Sequence, residues 1–324
     1  MFETIANWWM WVGFAVFVVV ALVIDLLVMK NEGAHRVSAR EALNWSALWI
    51  SLSFVFCGLL WWYLDASAGR DMANLKATEF LTGYLIEKSL SVDNIFVFLM
   101  IFTYFAVPAE YQKRALIIGV IGAIVLRVIM ILVGAWLIAT FHWILYLFGL
   151  FLLGTGIKML IFANHKPDLE KNPMLKWMRG HLLITKEFHG EQFTFMKDGV
   201  RWYTPLFIVL VLIGVTDVVF AVDSIPAIFA ITSDPFIVMT SNIFAILGLR
   251  ALYFLLADMA DRFRLLSYGL ALVLVFIGTK MLIVDFYKIP VFWSLGVVGV
   301  ILLASVLLSL AWKPAPKAAP ETKS

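Results

Sequence analysis

Residues 217 to 223 read "DVVFAVD", which sets Asp217 and Asp223 six positions apart in one of the most apolar stretches of the chain. Residues 87 to 93, "EKSLSVD", do the same with Glu87 and Asp93. A carboxylate at the centre of a membrane helix costs about 2.5 to 3.5 kcal/mol on insertion scales, so intramembrane acids tend to mark ion or proton pathways. Directly after each second acid comes a neutral oxygen, Asn94 in one stretch and Ser224 in the other. Carboxylate, amide and hydroxyl oxygens suit magnesium, calcium and manganese, whereas zinc and copper sites recruit imidazole or sulfur. The histidines, His35, His142, His165, His181 and His189, all lie outside the deep part of any span. The candidate metal ligands are therefore Glu87, Asp93, Asn94, Asp217, Asp223 and Ser224. No catalytic residue is assigned and no cofactor is required.

Four buried acids repel one another, so something positive has to sit among them: a metal ion, protons, or the intramembrane arginines Arg127 and Arg250. The arginines can serve as plain charge balance, as gating groups, or as both. Lys88 adjoins Glu87 but projects about 100° away on a helix, so it pairs elsewhere, with Asp217 among the candidates. A spacing of six places two acids about 120° apart around a straight helix and about 9 Å along it, so a shared ion requires a bend. Pro226 supplies a cause: its missing N–H frees the carbonyl of Val222, next to Asp223, as a backbone ligand. Asp25, in "VIDLL", reads either as a snorkelling interfacial acid or as a first ligand guiding cations in from the cytoplasm. Met100, Met130 and Met159 read as packing.

Composition says what must hold these residues. The 324 residues are 63% hydrophobic and 15% charged, with mean hydropathy +0.94, which excludes a soluble globular domain and predicts an all-α polytopic membrane protein. Windows of about 20 apolar residues, one bilayer's worth, recur throughout. About nine transmembrane helices are predicted, at 8–29, 42–64, 78–105, 112–139, 142–163, 204–231, 235–257, 264–286 and 290–312. With the N-terminus outside, seventeen of the 25 Lys and Arg fall in inner loops and the tail, which fits the positive-inside rule. The net charge of +3 resides in loops, so no nucleic-acid face is implied. "MFETIANWWMW" lacks a basic n-region, so the first span is expected to be retained. Within the inner loop, "NPMLKWMRGHLL" suggests a surface helix, and Asp198-Gly199 a tight hairpin.

The chain also repeats itself. "EKSLSVDNIFVF" aligns with "DVVFAVDSIPAIF", "GAIVLRVIMIL" with "AILGLRALYFL", and both third helices carry "KMLI". Each copy has three spans, so the second must enter from the opposite face: two inverted three-helix repeats with a site near the midplane. The organisation predicted is two peripheral spans (1–77), repeat one (78–163), a cytoplasmic loop (164–203), repeat two (204–286), a last span (287–312) and a disordered cytoplasmic tail (313–324).

"TGYLIEKSLSVDNIFVF", "DVVFAVDSIPAIFA", "SNIFAILGLRALYFLLA" and "LVFIGTKMLIVDFY" closely resemble the TerC family of integral membrane proteins, over about residues 10 to 312. The resemblance implies a superfamily of cation and amino-acid exporters, with manganese export as the supported role, and a bacterial inner membrane as the location. It carries the family's acidic positions onto Glu87, Asp93, Asp217 and Asp223, with Asn94 and Ser224. The reading is a divalent-cation exporter, manganese first and calcium or magnesium next, working by alternating access with protons as candidate counter-ions. Its partners are the cation and the lipid bilayer; nothing sets an oligomeric state. The alternative is a membrane scaffold, or a redox-modulating partner of membrane or secretion machinery. Cys57, the only cysteine, forms neither an intramolecular disulfide nor a C-x-x-C pair, which weighs against dithiol chemistry. An aspartyl protease is disfavoured because "DVVFAVD" puts both acids on one helix, so the chain is not read as an enzyme.

Overall fold

The computed structural model describes residues 4–32, 38–141, 143–162, 173–185, 187–197, 199–257, 265–287 and 289–311; the tail at 313–324 and residues 163–172 of the inner loop lie outside them. In chain order the elements are α1(Trp8–Glu32), α2(Ala39–Ser67), α3(Arg70–Tyr104), α4(Ala109–Thr140), α5(Ile144–Phe162), α6(Pro173–His181), β1(Thr194–Lys197), β2(Val200–Tyr203), α7(Pro205–Phe229), α8(Pro235–Leu247), α9(Leu249–Ala257), α10(Leu266–Leu282) and α11(Val291–Ala311). Six of these helices, α1, α2, α4, α5, α7 and α11, are long and apolar enough to cross a membrane, and α8 with α9 makes a seventh if that bent pair is one span. α3 has 35 residues, but Glu87, Lys88 and Asp93 interrupt its apolar stretch; α10 is shorter. Each of the six leaves apolar side chains uncovered, among them Val16, Leu59, Val133, Leu150, Val219 and Leu303. Lipid, not water, is the solvent such surfaces fit.

Helix boundaries follow local chemistry. Ser38 caps α2 by accepting from the Glu41 amide at 3.2 Å, and Asp234 caps α8 by accepting from the Phe236 amide at 3.0 Å, with Pro235 in the first turn. β1 and β2 form the hairpin announced by Asp198-Gly199: Lys197 pairs with Val200, and Gly199 adopts φ +77°, which suits a residue without a Cβ. The bend expected in α7 at Pro226, which would have let Asp217 and Asp223 share an ion, does not break the helix. α7 continues through that proline, which sits in its last turn, where few bonds remain to lose. The sharp break, 41°, separates α8 from α9 at Gly248.

Two packing devices hold the bundle. Phe14 and Phe17 of α1, Phe56 of α2, Phe80 of α3, and Phe236 and Phe244 of α8 form one aromatic cluster, with Phe56 and Phe244 centroids 4.8 Å apart. α5 and α10 make the most extensive helix pair through close backbone approach. A Cβ on Gly278 would lie 2.6 Å from the Leu153 nitrogen and 2.8 Å from the Gly149 carbonyl oxygen. Small residues permit such contact where no hydrophobic force drives helices together in lipid. Around this frame α3 packs on α7 and α8, and α4 on α7 and α8, so four helices enclose the bundle interior.

Candidate functional site

The polar centre lies among those four helices. Arg127 of α4 is 1% exposed and its guanidinium faces Glu87 of α3, 0% exposed, and Asp217 of α7, 2% exposed. Its Nη1 donates to Glu87 Oε1, and also reaches Ser224 Oγ at 3.1 Å and Asn242 Oδ1 at 3.0 Å; its Nη2 stands 3.5 Å from Asp217 Oδ1. Asn242, on α8, is aimed by its own amide, which donates to the Val238 carbonyl at 2.8 Å. Two carboxylates share one guanidinium, so the fully ionised cluster carries one negative charge in excess. Glu87 Oε2, Asp217 Oδ2 and Asn94 Oδ1 are all buried and accept no hydrogen bond from the protein. Buried acceptors are normally satisfied, and an unpaired charge in low dielectric is costly, so the free oxygens of Glu87 and Asp217, the two acids that share Arg127, fit a cation or a proton, while Asn94 lies about 10 Å farther along α3.

Of the four acids expected to converge, Glu87 and Asp217 do. Asp223, half-buried, faces away toward Thr155 and Lys158 of α5, as the 120° offset from Asp217 on an uninterrupted helix dictates. Asp93 lies on α3, with its side chain outside the described atoms. Ser224 joins the cluster as a partner of Arg127, whereas Asn94, also buried, accepts no hydrogen bond from Arg127 and lies two turns along α3 from Glu87. The Val222 side chain is exposed; its carbonyl loses its helical partner to Pro226. Among the described residues no three His, Cys, Asp or Glu side chains gather into a metal-holding group. The centre is a mixed acid, amide and guanidinium cluster rather than a ring of four carboxylates.

Arg250 departs from the arrangement in which both arginines neutralise the centre. It pairs with Asp25 of α1, so Asp25 is neither a free interfacial acid nor an open ligand. Nearby, the Tyr253 hydroxyl donates to Gln112 Oε1 at 2.8 Å. Lys88 also turns from the acids: its ammonium donates to the Ala245 carbonyl at 3.2 Å, filling the notch that Gly248 leaves, where a Cβ would lie 2.7 Å from the nitrogen. A cation at the carboxyl end of α8 suits the helix dipole.

At the other end of the bundle is a network that the sequence did not announce. Buried Asp234 accepts from Thr4 Oγ1 at 2.9 Å and from the Ile5 amide at 3.0 Å, with Lys76 at 3.8 Å. Lys76 also meets buried Glu79 at 2.8 Å, which the Thr232 hydroxyl joins at 2.6 Å. Asn242 was missed as well, although "TSN" at 240 to 242 is a polar triplet inside an apolar run, a legible signal.

The comparisons place the chain among integral membrane proteins. Residues 72–317 match the model of a family described as "Integral membrane protein TerC family". A protein of Escherichia coli (strain K12), named "Putative membrane-bound redox modulator Alx", is 55% identical over 310 residues, 96% of each chain. Proteins of the same name from Salmonella typhi and Photorhabdus laumondii are 55% and 52% identical, covering 95% and 93% of this chain and 95% and 94% of their own. No solved structure matches the chain.

Proposed function

Because the chain belongs to the integral membrane protein TerC family, we propose that it exports a divalent cation, manganese first, across a bacterial inner membrane. One observation carries the proposal: two buried carboxylates held by a single guanidinium, with Glu87 Oε2, Asp217 Oδ2 and Asn94 Oδ1 left without protein donors. The missing positive charge is supplied by the cargo or, on the return, by protons, so the two compete for the same oxygens. Hard oxygen ligands favour manganese, calcium and magnesium over zinc. Arg127 is a tethered counter-charge that keeps the carboxylates together between turnovers.

Nine spans in two inverted triplets, α3 to α5 and α7 to α10, are the architecture we read for this work, with α8 and α9 as one broken span and the N-terminus outside. Cross-packing supports it: α3 meets α8 as α7 meets α4, and α5 meets α10. Rocking one triplet on the other would alternate access to the centre. The test is uptake of Mn2+, Ca2+, Mg2+ and Zn2+ into proteoliposomes with and without a pH gradient. Glu87→Gln and Asp217→Asn should each cut Mn2+ flux by about a hundredfold, near 2.8 kcal/mol of lost stabilisation. Full flux in both variants rules the site out.

The relatives' name supports a second reading, redox modulation. Its nearest chemical candidate is Cys57, buried, with its thiol 3.8 Å from the Ala77 carbonyl oxygen. Loss of all activity in Cys57→Ala would favour that reading over export.

A further inference from the structure

We infer that Ser91 is a further cargo ligand, the middle rung of an oxygen ladder that Glu87, Ser91 and Asn94 build along one stripe of α3; the inference rests on the exporter reading and deepens it. Positions 87, 91 and 94 recur at the helical spacing of four and three, so they share a face and descend about 10 Å from the centre toward the carboxyl end of α3. Ser91 is 1% exposed and Asn94 2%, and Glu87 Oε2, Ser91 Oγ and Asn94 Oδ1 all lack a hydrogen-bond partner.

The hydroxyl is unusual for its own helix. Every other Ser or Thr of α3 turns back onto the carbonyl four residues earlier: Thr78 on Asn74 at 2.7 Å, Thr82 on Thr78 at 2.6 Å, Ser89 on Leu85 at 2.7 Å and Thr103 on Leu99 at 2.7 Å. That back-bond is the default way a membrane helix satisfies a hydroxyl. Ser91 forgoes it and stays buried, between two other unpaired acceptors on the same face. A lone hydroxyl could be an accident of packing; three successive oxygens at ladder spacing make a path for an ion that exchanges hydration for protein oxygen one step at a time. The matching position of the second repeat, at the offset that aligns Glu87 with Asp217, is Ala221, also buried. The ladder therefore serves one side of the centre only.

Cadmium and a thiolate provide the test. In full-length protein carrying Cys57→Ala, Ser91→Cys replaces a hard oxygen by a soft sulfur, and Cd2+ added to the purified protein should produce thiolate-to-cadmium charge-transfer absorption. Adding Glu87→Gln or Asn94→Ala should weaken that binding about tenfold or more, because an ion held at position 91 is reached by the side chain one turn before it and by that one turn after it on the same face. In proteoliposomes Ser91→Ala should raise the half-saturating Mn2+ concentration about tenfold, and Ser91→Thr, which keeps the hydroxyl, should largely restore it. Cadmium binding indifferent to Glu87 and Asn94 overturns the assignment, as does a Ser91→Ala protein that transports with unchanged Mn2+ dependence. A wild-type protein that moves no divalent ion, beside cadmium binding that still depends on both neighbours, sinks the exporter reading and leaves the ladder standing.

Discussion

Arg127 is the residue on which the centre turns, because it neutralises part of a charge it cannot fully balance. Removing it leaves two buried carboxylates together, so Arg127→Met should destabilise the protein by about 3 to 5 kcal/mol, read by thermal unfolding in detergent. Combining it with Glu87→Gln should recover part of that loss, since the second change removes one of the stranded charges. An additive double variant would mean that the two side chains do not act on each other. The acids themselves were legible in the sequence, since a carboxylate in an apolar run stands out against its neighbours. Their partners were not. Nothing in the spacing of Arg127 and Arg250 says that one meets Glu87 and Asp217 while the other meets Asp25, because those contacts depend on which helix lies opposite. Asp223 shows the complementary error: α7 runs uninterrupted through residues 217 and 223, which keeps them on different faces and turns Asp223 toward α5.

Among the elements, α5 and α10 depend on backbone contact and α7 on a missing bond. Gly278→Ala would push a methyl group into the Leu153 amide and the Gly149 carbonyl, neither of which is a flexible side-chain tip. The expected cost is about 1 to 3 kcal/mol, seen as a lowered Tm, with the larger Gly278→Leu losing the folded protein. Pro226→Ala acts the other way. It returns a hydrogen-bond donor to the Val222 carbonyl, so Tm should rise while flux through proteoliposomes falls if that oxygen contacts the cargo. Unchanged flux would remove Val222 from the ligand set. Element positions were largely readable, since hydrophobic length and Gly, Pro and Ser punctuation mark helix ends strongly. The split of one apolar run into α8 and α9 was hidden, because a glycine within a helical pattern marks a break only when a neighbour, here the Lys88 ammonium, occupies its space.

For the molecule as a whole, polar closures lie at both ends of the bundle, with the centre between them. Asp25→Asn strands Arg250, so it should lower stability by about 3 kcal/mol, and Asp25→Asn with Arg250→Gln should cost less than Arg250→Gln and Asp25→Asn summed. Unfolding of the four proteins completes that cycle. Both closures also share an unannounced geometry. The amino-terminal segment is tied by Thr4 and Ile5 to Asp234, which starts α8, and α1 is tied near its far end by Asp25 to Arg250 in α9. α1 thus spans the bent α8–α9 unit like a stay fastened at both ends of a mast, and the unit cannot tilt without dragging it. The practical corollary concerns how the protein is handled: an affinity handle fused at the amino end crowds the fastening at Asp234, so protein tagged there will not be mechanically equivalent to protein without that tag.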